Sequence, residues 1–427
     1  MLFKTKFSMF ILISVVFLFF SYAQDMDDLD DEADASNDVS HCMPDSFPTP
    51  WEYYDKTELT PEQVAIKYSY VKDYRKKENW DKVKKYGWQL VYGDKKRQFK
   101  SVYDKLADSY YFTNHPDTAL LVCQMGLKDV GYRTRLNHYA AYIQFEVGRY
   151  NCAEIHLRAL LTKKPNELAY WKMLVQSLIK MNKEDAIKAQ EKVVELTSND
   201  PAEQSLLGQL YERYGLNAMD AYVKSWQANP SLENIKSATQ VTTMAIQQGQ
   251  DDLGLKVGLE ALKLQPDNKV IIRNVAELYN LKMQYNNSIK YYKKYLKYDN
   301  SNIDIYCSIA DIYREKRDWS SARVYARKAM NKDSKSGKPH IVLANVYQSN
   351  ASECLNTVHD GKITIDIKLV FQMAYDEYAK ASRDPGYQSE ANAKKKWLRS
   401  SQLTPSKEDK FLHPDVKKPR GKCFSWI

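Results

Sequence analysis

The chain has 427 residues, and its 63 Lys and Arg against 54 Asp and Glu give a formal charge of +9. Glycine and proline number only 14 each, which is too few for the many tight turns of a doubly wound α/β domain or a β-sandwich. Hydrophobic residues make up 44%, so the chain can build a sizeable core and is not disordered overall. The widely spread charges exclude a nucleic-acid footprint.

The N-terminus, residues 1–23, has the pattern of a secretory signal peptide. Lys4 and Lys6 precede an uncharged apolar run over residues 7–20, and small residues occupy the −3 and −1 positions before Gln24. The run is shorter than the roughly 20 residues that a membrane-spanning helix requires. We therefore expect an exported protein, either periplasmic, associated with the outer membrane or secreted. An uncleaved N-terminal anchor is the alternative.

A strongly acidic segment follows the predicted signal peptide. Eight Asp and Glu fall between positions 25 and 38, with few apolar residues among them. Such a run is typical of a solvated, disordered linker. We assign residues 24–60 to this linker and the N-terminal segment.

From Lys269 onward the sequence repeats with a period of about 34 residues, a length that is typical of stacked helical hairpins. The recurring positions are Ala276, Ala310 and Ala344; Tyr279, Tyr313 and Tyr347; and Val275, Ile309 and Leu343. The second half of the repeat is matched by Tyr285 with Trp319, Ser288 with Ala322, Tyr292 with Ala326, and Tyr295 with Ala329. A fixed period predicts structural units that cannot bury their apolar faces alone.

The pattern resembles the tetratricopeptide repeat. That resemblance implies an all-α fold, a right-handed superhelical solenoid of helix-turn-helix units. Looser matches upstream extend the array to about nine units over residues 61–386, of which the unit near Trp80 and Trp88 is the weakest. These matches are Leu207-Gly208 with Tyr211, Trp171 with Leu174, Gly148 to Tyr150 with Ala153, and Leu106-Ala107 with Tyr110. The prolines expected to end second helices are Pro165, Pro201, Pro230 and Pro266.

The last unit is interrupted, and the chain then continues into a capping helix and a C-terminal tail, residues 387–427. An insertion at 349–368 separates the first helix, expected to end near Gln348, from the second helix around Ala374. The insertion is expected to form a surface loop, and it contains Cys354. We expect Cys354 to pair with Cys423 in an oxidising compartment, a bond that contributes roughly 4 kcal/mol at most.

The other cysteines leave two pairings open. Cys123 and Cys152 lie on second helices of adjacent predicted units, so they can pair with each other; the rival pairing is Cys42 with Cys123. Cys307 is expected to be a lone thiol.

The C-terminal tail carries a second resemblance. Residues 403–411 (LTPSKEDKF) and 423–427 (CFSWI) are similar to the tail of exported tetratricopeptide-repeat proteins of Bacteroidota-type bacteria. This resemblance implies an envelope protein and no particular reaction.

No motif for catalysis, a cofactor or a metal is present in the sequence. The seven histidines form no His-Glu-x-x-His motif, and there is no Cys-x-x-Cys or P-loop. His359, in the insertion, is the one residue for which a catalytic role could be considered. The basic run of Lys394, Lys395, Lys396 and Arg399 favours the solvated face of a capping helix over an anionic-polymer or membrane contact.

The resemblance also implies a concave groove lined by set positions of each first helix. The groove candidates are Lys172, Gln176, Gln209, Glu212, Arg213, Arg273, Glu277, Asn280, Asp311, Arg314 and Glu315. These residues carry charges of both signs. They do not include the Lys and Asn pair by which related proteins bind the C-terminal carboxylate of a peptide, but docking of an extended or helical peptide remains open.

We therefore expect a non-enzymatic exported scaffold that binds a protein or peptide in the bacterial cell envelope, in an assembly or secretion complex. The alternative functions are a regulatory subunit of an envelope enzyme and a cell-wall-polymer binder that uses the aromatic residues Trp51, Trp80 and Trp88.

Overall fold

The computed structural model describes residue 42, residue 52 and residues 54–358 and 360–427, and these residues form helices and no strands. The helices are α1 Pro61–Lys76, α2 Trp80–Gly93, α3 Val102–Phe112, α4 Pro116–Val130, α5 Thr134–Glu146, α6 Tyr150–Lys163, α7 Leu168–Lys180, α8 Ala186–Leu196, α9 Pro201–Arg213, α10 Met219–Ala228, α11 Ile235–Gln248, α12 Asp251–Leu264, α13 Lys269–Leu281, α14 Tyr285–Tyr295, α15 Ile303–Glu315, α16 Trp319–Lys332, α17 Lys338–Thr357, α18 Ile365–Ala381, α19 Gln388–Ser400 and α20 Lys407–Leu412, followed by a 3₁₀ turn at Lys422–Phe424.

Consecutive helices pair into hairpins, and α1 to α18 make nine of them within the described residues. The predicted all-helical repeat array of about nine units is therefore confirmed. Helices α13 and α15 begin one sequence period apart, at Lys269 and Ile303, and so do α14 and α16, at Tyr285 and Trp319. The weakest predicted unit, around Trp80, forms the hairpin of α1 and α2.

The helix boundaries follow from local capping chemistry that recurs with the repeat. Asn268 accepts a hydrogen bond from the backbone N–H of Ile271 at the start of α13. Asn302, one period later, accepts one from Ile305 at the start of α15. Each cap satisfies one of the N–H groups that the first turn of a helix leaves unpaired. The sequence therefore specifies where these first helices begin.

Small residues allow the helices of a hairpin to approach closely. Ala276, Ala310 and Ala344 are all fully buried. At Gly208 of α9, a Cβ atom would lie 2.8 Å from the ring of Tyr222, so a larger residue there would displace α10. The array is thus held by small positions facing large ones, as the repeat pattern predicts.

Two sequence expectations about helix ends are wrong. Pro201 does not end a second helix, because it is the first residue of α9, where its missing N–H is harmless and Asp200 supplies the cap. The insertion is not mainly a surface loop. The first helix of the last hairpin continues through it as α17 for 20 residues, against 13 in α15, and only a short connection precedes α18.

The cysteines form two disulfides. Cys354 is bonded to Cys423, the predicted pair, and Cys307 is a buried free thiol, as expected. Both other predicted pairings are wrong, because Cys42 is bonded to Cys152 and Cys123 is free. Cys123 is fully buried inside its hairpin, where burial and the nearby carboxylates Asp104 and Asp108 raise its pKa well above the usual thiol value. It is therefore a packing residue.

The chain divides into two compact units, one up to Ser225 and the other from Trp226 onward, and the division falls within α10. Each unit has an apolar interior built along its own stack of hairpins.

Candidate functional site

In the second compact unit, the first helices α13 and α15 carry polar side chains at matching positions. Glu277 of α13 accepts a hydrogen bond from the hydroxyl of Tyr292, and Arg273 one turn earlier is exposed. One repeat later, Asp311 lies 3.3 Å from Nε of Arg314. Burial raises the pKa of Asp311, and the charge of Arg314 opposes that rise. Polar groups are thus held in order on two consecutive first helices.

The polar side chains of α13 and α15 include two further groove candidates. Asn280, one repeat before Arg314, is partly exposed on α13. The guanidinium of Arg314 also lies 2.7 Å from an oxygen of Glu315, which is exposed. Positions 273, 277 and 280 are four and three residues apart, so they share one face of α13.

In the first compact unit, an ion pair joins the first helices α7 and α9. The ammonium nitrogen of Lys172 lies 2.7 Å from a carboxylate oxygen of Glu203. Gln176 and Gln209 are partly buried, and Gln209 donates to the backbone oxygen of Ser205, 3.2 Å away. Lys172 and Gln209 are therefore held by polar contacts in this unit.

The groove candidates at the C-terminal end of α9 are more exposed than those on α7 and earlier on α9. Glu212 is exposed and accepts a hydrogen bond from the hydroxyl of Tyr222, 3.0 Å away. Arg213 is also exposed, with its guanidinium 6.0 Å from the ring centroid of Tyr214. Both side chains are accessible to a partner from solvent.

The N-terminal hairpins differ, because two of their first helices, α3 and α5, carry buried polar groups. Asp108 of α3 is fully buried and accepts hydrogen bonds from Arg75 of α1 at 2.6 Å and from Arg135 and Tyr139 of α5 at 3.0 and 2.7 Å. Three consecutive first helices are thus joined through one carboxylate, which is part of the core.

The C-terminal tail completes the last hairpin. In the two preceding hairpins a first-helix tyrosine stacks on a second-helix tyrosine, Tyr279 on Tyr291 at 5.5 Å and Tyr313 on Tyr325 at 5.6 Å between ring centroids. In the last hairpin Tyr347 stacks at 5.6 Å on a residue of the tail, Trp426. The tail therefore supplies the ring that the second helix supplies elsewhere.

Polar contacts fix that ring in place. Asn350 of α17 is almost fully buried; it accepts from the indole N–H of Trp426 at 3.2 Å and donates to the backbone oxygen of Cys423 at 3.3 Å. Arg323 donates to the backbone oxygen of Ile427 at 2.7 Å, and its guanidinium lies 5.5 Å from the Trp426 ring centroid. Sequence reasoning missed Asn350 and Arg323, since nothing in the repeat pattern marks them.

Of the tryptophans proposed for polymer binding, the structure describes Trp80, which is half-buried, and Trp88. Trp88 is fully buried and donates to the hydroxyl of Tyr110, and Trp80 stacks on Phe112 at 5.2 Å between ring centroids. Trp51 lies outside the described residues, and so does His359, the one candidate for catalysis. The predicted signal peptide and the acidic run also fall outside them.

Among the residues that the structure describes, no three His, Cys, Asp or Glu side chains come close enough together to hold a metal ion. Nor does any helix of the described chain have the length and apolar character needed to cross a membrane.

The fold and its helical period define a helical-repeat protein of the tetratricopeptide type. No protein-family model matches the chain, and no curated protein matches it. Solved structures are similar to it at low identity. The C-terminal part of a TPR repeat-containing protein from Cytophaga hutchinsonii is 14% identical, with a TM-score of 0.42, over 60% of this chain and 98% of that one.

Two further solved structures are similar over large parts of their own length. A tetratricopeptide repeat protein from Parabacteroides merdae is 13% identical with a TM-score of 0.33, over 62% of this chain and 97% of that one. YrrB, a TPR protein described as having an unusual peptide-binding site, is 16% identical with a TM-score of 0.37, over 43% of this chain and 95% of that one.

Proposed function

We propose that this protein is a non-enzymatic scaffold, exported to the bacterial cell envelope, that binds a protein or peptide partner in an assembly or secretion complex. The groove candidates on α13 and α15 would form the contact surface in the second compact unit, and those on α7 and α9 the contact surface in the first. A partner would dock as an extended or helical segment across consecutive first helices.

The observation that carries this proposal is the ordered polar row on α13 and α15. Arg273, Glu277 and Asn280 share one face of α13, and the Asp311–Arg314 pair repeats that polar character one unit later. Side chains already held by hydrogen bonds and ion pairs lose little freedom when a partner binds, which favours recognition. The two disulfides and the signal-like N-terminus support the exported location.

Site-specific photocrosslinking in the native bacterium tests the proposed surface. A photoreactive amino acid in place of Asn280 should crosslink to one reproducible envelope protein, identified by mass spectrometry. The same amino acid in place of Lys290, exposed on the second helix α14, is the matched control and should not give that product. An Arg314→Glu variant should lower capture of the partner by about tenfold, because it reverses the charge of an ordered contact.

Equal crosslinking from positions 280 and 290, or no reproducible product from position 280, would contradict the scaffold proposal. Recovery of the intact chain from the cytoplasmic fraction alone would contradict export without bearing on the groove.

A further inference from the structure

Positive charge is concentrated at the C-terminal end of the chain. Residues 387–427 contain ten Lys and Arg against four Asp and Glu, so this segment carries six of the nine net charges of the protein. One of its four acids, Asp409, is already bound by Lys368 of α18. The end of the second unit is therefore a basic surface.

A shallow cavity of about 390 Å³ opens in this surface between α18 and α19. Its lining residues are Tyr375, Asn392, Lys395, Lys396, Arg399 and Ser400. None of these described lining residues is acidic. The guanidinium of Arg399 lies 4.6 Å from the ring centroid of Tyr375, and the ammonium of Lys395 lies 5.7 Å from it, so the ring holds both cations close together. Three cations, an amide and two hydroxyls around a recess suit an anionic group.

The neighbouring helix α20 exposes two large apolar side chains. Phe411 is 83% exposed and Leu412 is 62% exposed, the former the highest value among the exposed large hydrophobic residues of the described chain. Lys407 and Lys410 lie on the same short helix. The same helix also carries Glu408, which is exposed, and Asp409, which Lys368 binds. An exposed aromatic and aliphatic pair next to a basic surface is the chemistry of a membrane-inserting tip, with apolar groups for the acyl boundary and cations for the headgroups.

Helix α18 contacts both the cavity helix α19 and the short helix α20 that carries the two apolar side chains. Lys368 of α18 binds Asp409 of α20 at 2.7 Å, and Tyr375 of α18 contacts the cations of α19. Positions 368 and 375 are seven residues apart, so they share one face of α18, about 10 Å along the axis. The contact points of α19 and α20 on α18 are therefore close together.

We propose that this basic surface docks the protein on a membrane that contains anionic phospholipid. The cavity receives a lipid phosphate between Lys395, Lys396 and Arg399, and Phe411 and Leu412 enter the boundary between headgroups and acyl chains. The contact is peripheral and uses a different surface from the proposed partner groove. A polybasic surface combined with an apolar tip supplies the two attractions that stable membrane association requires.

Vesicle co-sedimentation of the full mature chain tests the proposal. The protein should bind phosphatidylcholine vesicles containing phosphatidylglycerol and should not bind pure phosphatidylcholine vesicles, and added salt should weaken the binding because it screens the exposed cations. Replacing the three cavity cations together, Lys395→Gln, Lys396→Gln and Arg399→Gln, should weaken binding on the order of 100-fold. The double variant Phe411→Ser and Leu412→Ser should weaken it about tenfold while leaving the charge unchanged.

The matched control removes the same charge elsewhere on the second unit, at the exposed residues Lys290, Lys297 and Lys328, each replaced by Gln. It should retain near-wild-type binding. Circular dichroism of every variant checks that the helices remain. The Phe411 and Leu412 variant keeps the proposal testable if the cavity variant is poorly folded, since both side chains are exposed.

The proposal is overturned if the two vesicle types bind equally, if the control weakens binding as much as the cavity variant does, or if the protein binds purified peptidoglycan and not anionic vesicles. None of these results depends on a protein partner being found, so this proposal and the groove proposal fail separately.

Discussion

The hairpins α1 to α6 and the hairpins α13 to α16 have the same helical architecture but bury different kinds of side chain. In α13 to α16, small residues such as Ala276 and Ala310 are fully buried, and the buried polar side chains, Asn274 and Ser288, are uncharged. In α1 to α6, charged groups are buried: Asp108 is fully buried and pairs with the buried Arg135 and with the partly exposed Arg75. The first arrangement repeats along the chain, and the second does not.

The difference shows how a repeat array can lose its sequence period and keep its architecture. Stacking only requires that each hairpin bury its face on the next. A buried carboxylate shared by three first helices meets that requirement, provided every charge is paired. The comparison also predicts that the two regions respond differently to substitution.

The largest expected effect comes from breaking the buried network. Asp108→Ala leaves the guanidinium groups of Arg75 and Arg135 without their shared carboxylate, and removing one partner of a buried ion pair costs about 3–5 kcal/mol. Urea unfolding followed by circular dichroism, with hydrogen exchange of α3 and α5, measures the loss. The exposed Asp117 on α4 is the control, and Asp117→Ala should change stability little. A loss below about 1 kcal/mol for Asp108→Ala would show that its network adds little to the fold.

A buried histidine makes the same region sensitive to acid. Burial lowers the pKa of His156 to about 4, against an ordinary value of about 6.5. The unfolded chain therefore takes up a proton between these values that the folded chain excludes. The free energy of unfolding is therefore not reduced by protonation of His156 above about pH 6.5. As the pH falls below that value the free energy of unfolding decreases, by about 3 kcal/mol at pH 4.

The variant His156→Gln should remove that part of the pH dependence, and it can keep a hydrogen bond to Asn137, which lies 2.9 Å from Nδ1 of His156. Unfolding free energies at pH 7 and pH 4.5 measure the difference. The exposed His115, replaced by Gln, is the control for removing an imidazole from the surface. Parallel pH profiles for wild type and His156→Gln would contradict the assignment.

A smaller effect is expected in the regular hairpins. Ala310→Leu adds volume at a fully buried position, and overpacking of this kind costs about 1–3 kcal/mol. Val324→Leu, at an exposed position of the same hairpin, should leave the unfolding midpoint nearly unchanged. If Ala310→Leu lowers the unfolding midpoint no more than Val324→Leu does, the small residues do not determine how closely the helices pack. The proposed difference between the two regions would then be wrong.

The regular part of the fold was predictable because its information is local. The period of Ala276, Ala310 and Ala344, together with the caps at Asn268 and Asn302, places each helix within the repeat. The pairing of Cys354 with Cys423 was predictable for a different reason. The tail follows the last hairpin, and when the tail covers that hairpin its cysteine comes close to the cysteine of the insertion.

The rest depended on contacts between distant parts of the chain. Cys42 pairs with Cys152 across a sequence separation of 110, and no spacing rule distinguishes that choice from the two pairings that sequence reasoning left open. The cavity on α19 was visible in sequence only as a basic run. Tyr375, which contacts its cations, comes from a different helix.

By itself, the sequence determined that this protein is a stack of helical hairpins, because helix length, capping and the small positions are set by residues within a few turns of one another. Only the tertiary structure decided that Asp108 is a buried junction of three helices and that Trp426 completes the last hairpin by stacking on Tyr347. The physical reason is that burial and pairing depend on which helices become neighbours, and that is a property of the folded chain.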